Sequence, residues 1–201
     1  MKRLVYVIGY PGAGKSTLFS GVTDRHGPHE EAVLRSEQAQ VRGVERTRHL
    51  RGVLLGNDGV TLGRVGTAFP GVDGMQRDTQ AMARDWLADG APMPTKRQNR
   101  WILLEGALLA HPKFMTVAAE HTRLTLLVVS AADSEERARA RADEIGSEYQ
   151  KENWRKGKIT QVDNLVNWSI DQGIETLELH NDIPGQTDDL VDILEGLLYD
   201  A

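Results

Sequence analysis

The sequence predicts an α/β fold: a mostly parallel five-stranded sheet with helices on both faces. Three observations lead there. Leu4–Ile8, Trp101–Leu104 and Leu124–Val129 are short, continuous apolar runs of the kind found in strands buried on both sides. Segments of helical period lie between such runs, as a parallel sheet with crossover helices requires. The first run also leads directly into Gly9-Tyr10-Pro11-Gly12-Ala13-Gly14-Lys15-Ser16, which matches G-x-x-x-x-G-K-[ST] at every fixed position.

The elements follow in order. Strand one is Leu4–Ile8, and helix one runs from Lys15 to about Asp24, stopping before Gly27-Pro28. Residues 29–50 are polar and rich in Arg and Gln, and are expected to be partly helical. Val53-Leu54-Leu55 and Val60-Thr61-Leu62 read as a β-hairpin turning at Asp58-Gly59. Met75 to Asp89 reads as a helix, with Met75, Thr79, Met82 and Trp86 on one face. Ala131 to Tyr149 reads as another, opening at Asp133-Ser134 with a stripe of Ala138, Ala142, Ile145 and Tyr149. Thr176–His180 is the last strand. Thr187 caps a final helix with a stripe of Leu190, Ile193, Leu194 and Leu197. The expected organisation is one domain, 1–201, with a glycine-rich hairpin insertion at 52–74 and a lid region at 131–160.

The glycine loop sets the chemistry. Its backbone can turn tightly, line up N–H groups as an anion cradle and place that cradle at a helix N-terminus. Gly9, Pro11, Gly12, Ala13, Gly14, Lys15, Ser16 and Thr17 are the candidate nucleotide-binding residues. Lys15 is expected to reach the β- and γ-phosphates, and Ser16 to offer its hydroxyl to Mg²⁺. This gives the fold class of a P-loop NTPase. Ligands of such sheets sit beyond the carboxyl ends of the strands. Glu105, directly after Trp101–Leu104, is therefore a candidate both for metal binding with Ser16 and for the general base. Asp73, in the Phe69–Gly74 loop, is the second candidate base; a helix-capping role is its plainer explanation.

Arg137 and Arg141 are four residues apart and share a helix face, where they could neutralise charge on a transferring phosphoryl group. A surface ladder with Glu135, Glu136 and Glu144 explains them equally well. Lys151, Arg155, Lys156 and Lys158 surround Trp154 and extend this lid or form an exposed basic helix end. Arg64 and Arg77 could hold an acceptor phosphate.

Composition narrows the classes. The 201 residues include no cysteine, which excludes disulfides and thiolate metal sites. The six histidines lack metal-site spacing. No apolar run is long enough to span a membrane, and the apolar start is too short for a secretory leader, so the cytoplasm, a host's if the gene is viral, is expected. Net charge is −5, yet residues 171–201 hold nine acids and no Lys or Arg, leaving 24 basic against 20 acidic residues before them. Three stretches are locally basic: Arg35–Arg51, Lys96–Arg100 and Lys151–Lys158. Arg42, Arg46 and Arg48 in the first are candidate DNA contacts.

Taken together, Gly9–Ser16, Ile102-Leu103-Leu104-Glu105-Gly106, Arg137–Arg141 and Gly157-Lys158-Ile159-Thr160 resemble the P-loop kinases of the nucleotide-kinase type. The resemblance spans most of the chain, though only its first motif is specific. It implies a five-stranded parallel core, ATP and Mg²⁺, and transfer of the γ-phosphoryl group to a small molecule or a nucleic acid. The chain is also similar to kinases of bacterial viruses, some of which phosphorylate hydroxymethyl pyrimidines already placed in DNA. The Asp-Arg-x dipeptides that bind acceptor monophosphates in many nucleotide kinases are not evident after strand two, where the glycine-rich hairpin at 52–74 stands instead. Two acceptor classes stay open: a modified base in DNA, or a free nucleoside or nucleotide. A GTPase is disfavoured by the lack of Asn-Lys-x-Asp, and a motor ATPase by length. His180-Asn181-Asp182 is where adenine contacts are expected.

Overall fold

The computed structural model describes residues 1–41, 43–67, 70–95, 100–144, 146, 152–183 and 185–199, with the backbone alone at Val41. Arg42, Phe69, Lys96, Ile145, Tyr149 and Lys151, singled out above, lie outside the described residues.

Seven strands form one sheet: β1 (Lys2–Gly9), β2 (His29–Val41), β3 (Val44–Leu55), β4 (Gly59–Leu62), β5 (Trp101–Glu105), β6 (Thr122–Ser130) and β7 (Glu175–His180). Their order is β2-β3-β4-β5-β1-β6-β7. The run from β4 to β7 is parallel, which is the five-stranded core expected from the sequence. The total of seven corrects the strand count, because β2 and β3 add an antiparallel edge. Those two strands occupy the stretch expected to be partly helical. Alternation decided the outcome: Ala32 and Leu34 turn inward while Val33 and Ser36 are exposed, a period of two across a one-residue bulge between Val33 and Arg35. The hairpin expected at 53–62 is present, with Leu55 paired to Gly59.

Six helices are described: α1 (Lys15–Arg25), α2 (Gln80–Ala88), α3 (Pro112–His121), α4 (Ser134–Glu144), α5 (Glu152–Asp171) and α6 (Thr187–Tyr199). The helix read from Met75 starts only at Gln80, after 3₁₀ turns at Val72–Gly74 and Arg77–Thr79. The helix expected to reach Tyr149 is described as far as Glu144. The sequence reading missed α3. It begins where the His111 side chain accepts a hydrogen bond from the Phe114 N–H at 3.3 Å and Pro112 supplies a preset φ. Acceptance needs a neutral ring, and burial pushes the His111 pKa down.

Two cores sandwich the sheet. Leu4, Tyr6, Leu54, Ile102 and Leu104 pack with Met82, Trp86, Phe114 and Leu165 from α2, α3 and α5. Val5, Val7, Leu103 and Val129 pack with Phe19, Val22, Leu190 and Leu194 from α1 and α6. Consecutive strand residues point to opposite faces, so Leu4–Ile8 must be apolar throughout. Each fully buried side chain of this size contributes about 1.5–3 kcal/mol. The covered sheet leaves its carboxyl edge as the place where loops meet, and the site forms there.

Candidate active site

β1 ends at Gly9 and α1 begins at Lys15, so the glycine loop spans strand end and helix start. The loop is held from both sides. A Cβ on Gly9 would meet the Val129 carbonyl oxygen at 2.0 Å, and one on Gly12 would meet the Ser134 carbonyl oxygen at 1.9 Å. Gly12 also has φ +86°, a conformation that side chains resist. Gly14 precedes α1 without a side-chain cap. The first-turn amides therefore carry the partial positive charge of a helix end without a protein side chain answering it. Lys15 folds back so that Nζ donates to the Tyr10 carbonyl at 2.8 Å. Burial lowers the Lys15 pKa, Glu105 and Asp73 oppose that, and Arg141 adds to it.

Glu105 stands at the end of β5, buried, beside β1 in register with Val7. Its Oε1 lies 3.4 Å from Ser16 Oγ, which donates to it. Desolvation raises the Glu105 pKa to about 7; Lys15 opposes this, Asp73 reinforces it, and the Ser16 hydrogen bond and Arg141 lower it. The carboxylate is thus poised to change charge near neutrality, and a cation placed beside it would hold it ionised.

Asp73 joins this group from the other loop. Its Oδ1 accepts from the Ala107 N–H at 2.8 Å and the Leu108 N–H at 3.0 Å. It therefore caps the turn after β5 rather than the helix that follows it. Gly106 makes the approach possible, since a Cβ there would lie 2.8 Å from Asp73 Cγ. Gly71 does the same against the Glu105 carbonyl oxygen, at 2.3 Å. Tyr6, fully buried, donates its hydroxyl to the Gly106 carbonyl at 2.9 Å and holds the turn from below. The sequence reading overlooked Tyr6, although a lone phenol in an aliphatic strand was a visible signal that the strand carries a polar partner.

A cleft of about 670 Å³ opens beside the loop, lined by Ser16, Thr17, Pro70, Arg137 and Arg141 among others. Arg137 and Arg141 do share a helix face, and both border this cleft. Arg137 is fixed by Asp133 at 2.7 Å and by the Asn181 carbonyl, to which it donates at 2.8 Å. Arg139, between them, pairs with Glu135 at 2.6 Å. Arg137 and Arg139 thus both form i,i+4 ion pairs along α4, and Arg137 and Arg141 in addition border the cleft. Asn181 also donates from Nδ2 to the Ala13 carbonyl at 3.0 Å, so one buried residue links the glycine loop through its side chain and the arginine helix through its backbone carbonyl. Tyr10 ties the same loop to α5 by donating to Asp163 at 2.8 Å.

Other expected residues lie apart. Arg64 and Arg77 are exposed on either side of the Asp73 loop. Arg46 is exposed on β3, and Arg48 donates to the Asp78 carbonyl at 3.1 Å and lies 3.8 Å from Glu37. Trp154 is exposed on α5, with the Lys158 ammonium 5.7 Å from its ring centre. Among the described residues there is no cluster of His, Asp or Glu able to hold a metal by itself. No described helix is long and apolar enough to cross a membrane.

The model of the family described as P-loop Nucleotide Kinase3 matches residues 1–199. The chain belongs to this family of P-loop nucleotide kinases. Among solved structures, the kinase is similar to an unliganded sugar kinase from Janibacter sp. HTCC2649. Identity is 14%, the match covers 98% of this chain and 95% of that one, and the TM-score is 0.40. The G domain of the T. maritima FeoB iron transporter is more distant, with 15% identity, coverage of 97% and 99%, and a TM-score of 0.26. No curated protein matches. The family supports ATP-dependent phosphotransfer in general.

Proposed function

We propose that this kinase moves the γ-phosphoryl group of ATP to the hydroxyl of a hydroxymethylated pyrimidine in DNA. The whole chain serves as one kinase domain, with 131–160 as its lid. The observation that carries the transfer chemistry is the convergence of Lys15, Ser16, Glu105 and Asp73 at the carboxyl edge of the sheet.

The residues present fit ATP with Mg²⁺. Gly12 sits where no side chain has room, the α1 amides carry no side-chain cap, and Ser16 and Glu105 offer two hard oxygens 3.4 Å apart. Mg²⁺ held there would neutralise charge on the β- and γ-oxygens. The loop N–H groups between Gly9 and Thr17, Pro11 having none, would bind the phosphate chain, and Lys15 would add a point charge toward its end. Arg137 and Arg141 close over the equatorial oxygens from the lid side.

Asp73 serves as general base. One of its oxygens is fixed by two amides, which orients the other, and the residue is exposed. It takes the hydroxyl proton as the acceptor oxygen bonds to the γ-phosphorus. The bond from that phosphorus to the β–γ bridging oxygen breaks, and ADP leaves. Glu105 is then left to the metal.

Support for a DNA acceptor comes from the acceptor side. No Asp-Arg-x dipeptide of the kind that binds free monophosphates follows strand two; Asp24-Arg25 ends α1, where Arg25 pairs with Asp192 and Glu195. The edge strand β3 reaches the segment that follows Asp73, where Arg48 donates to the Asp78 carbonyl, and Arg46 and Arg51 are exposed on the same strand. Radiolabelled ATP should be offered with duplex DNA containing hydroxymethyluracil, with the free nucleoside, and with thymidylate. Label in the duplex supports the reading. Label only in a free nucleoside or nucleotide would replace the acceptor while keeping the kinase, and free phosphate alone would remove the kinase reading.

A further inference from the structure

The ribbon formed by β2 and β3 runs beyond the sheet at its catalytic edge. β4 ends at Leu62, paired with Gly52, and runs parallel to β5, which ends at Glu105. β3 is antiparallel to β4, so its residues before Gly52 continue past that same edge. β2 accompanies them as far as the Val41–Val44 pair. From Gly52 to Val44 the ribbon covers roughly 25 Å at strand rise. Among the described residues no third strand pairs with this stretch. It is anchored near the acceptor loop, since Arg48 donates to the Asp78 carbonyl a few residues after Asp73.

The two faces of the ribbon differ. One turns toward α2: Leu50 is buried there, and Arg35 bonds Asp89, the residue after α2. The other presents Ser36, Gln38 and Gln40 opposite His49, Thr47 and Glu45, all exposed. Ser36 Oγ and His49 Nδ1 lie 2.9 Å apart, and Thr47 donates to the Gln38 amide oxygen at 3.1 Å. That bond leaves the Gln38 amino group for an outside acceptor.

We infer that this ribbon is a groove-reading arm for duplex DNA, with Gln38, Gln40 and Thr47 toward the base edges. The inference rests on the DNA-acceptor reading above and names the surface that serves it. A two-stranded ribbon fits the major groove, about 12 Å wide, and side-chain amides match the donor and acceptor pattern of base edges there. Charge adds a backbone contact rather than a basic reading face: by register Arg35, Arg46 and Arg48 share the opposite face with Leu50, Arg35 and Arg48 pair with Glu37, and the exposed Arg46 is placed to meet a phosphate beside the groove. Position agrees too. A free nucleotide would fill the cleft and leave the arm without contact. A duplex that extrudes one base into the cleft continues past it and meets the arm.

Two variants test this. Gln38→Ala, Gln40→Ala and Thr47→Ala combined keep the ribbon and strip its polar face. Replacing 37–48 by Asn-Gly closes the strands at the Ser36–His49 pair and removes the arm. Anisotropy of a labelled 25-base-pair duplex measures DNA binding over a salt series, a fluorescent ATP analogue measures the nucleotide site, and phosphate transfer is measured with duplex and free hydroxymethyl nucleoside. The triple variant should bind duplex at least tenfold more weakly and the shortened protein should not bind it, with nucleotide affinity unchanged in both. Full duplex affinity in both variants overturns the arm; if DNA is still phosphorylated, the acceptor reading survives. An intact protein that binds no duplex and labels only the free nucleoside overturns both.

Discussion

Glu105→Gln should make the ligand-free kinase more stable while removing its activity, and the gain should depend on pH. The Glu105 pKa is about 7 against an ordinary 4.5, chiefly because burial strips water from the carboxylate, with Lys15, Ser16 and Arg141 only partly compensating. Below pH 4.5 the carboxyl is protonated in folded and unfolded chains alike and contributes no difference. Between 4.5 and 7 the unfolded chain gives up its proton while the folded chain keeps it, so stability falls as pH rises. Above 7 the penalty levels off at about 3 kcal/mol, taking roughly 1.4 kcal/mol per pKa unit. An amide carries no such charge and still accepts from Ser16. Thermal and urea denaturation without Mg²⁺ or nucleotide should therefore show wild type and variant alike near pH 4.5. At pH 8 the variant should lead by about 3 kcal/mol, or roughly 6–12 °C in Tm for a chain of this size. Phosphotransfer should fall at least a hundredfold in the same protein. A stability difference that is flat across pH, or a variant less stable at pH 8, would refute the claim that the site holds an ionised Glu105 at a cost.

Other substitutions separate roles within the site. Lys15→Ala should abolish transfer with an unchanged circular dichroism spectrum; retained turnover would move the phosphate site elsewhere. Asp73→Asn keeps an oxygen for the Ala107 and Leu108 amides, so it should fold normally and lose activity, whereas Asp73→Ala should also lose about 1–3 kcal/mol in urea titration. An active Asp73→Asn protein would hand the base role to another group. Gly106→Ala places a methyl group against the Asp73 carboxylate and should cost about 2–4 kcal/mol with loss of activity, read by denaturation and transfer assay. Asn181→Ala releases the Ala13 carbonyl and the Arg137 helix from one another; the KM for ATP should rise several-fold, and an unchanged KM would show that the link has no bearing on nucleotide binding.

Much of the site could be read from the chain because its parts are local. The glycine loop needs only consecutive residues, and the strand before it was marked by its unbroken apolar run. Glu105 was singled out because it follows a buried strand, and β5 does end there, at the carboxyl edge of the sheet and beside Ser16. Arg137 and Arg141 were legible as a shared helix face, but the bond from Arg137 to the Asn181 carbonyl, 44 residues away, was not. Asp73 was found as a residue and misjudged in its alternative role, because its amide partners sit on a loop 34 residues downstream. Residues 29–50 were misread because a polar edge ribbon has little apolar signal on its exposed side, and its one bulge breaks the alternation.

The sequence by itself determined the phosphate loop, the parallel core and the end of the sheet where chemistry must occur, since each follows from periodicity and near-neighbour sterics. Tertiary structure alone decided which carboxylate stands beside Ser16, which is pinned by amides, and where the edge ribbon points. Those outcomes depend on strand order and register, which bring together residues about ninety positions apart. Desolvation at that meeting point, absent from any linear pattern, shifts the Glu105 carboxyl toward neutrality.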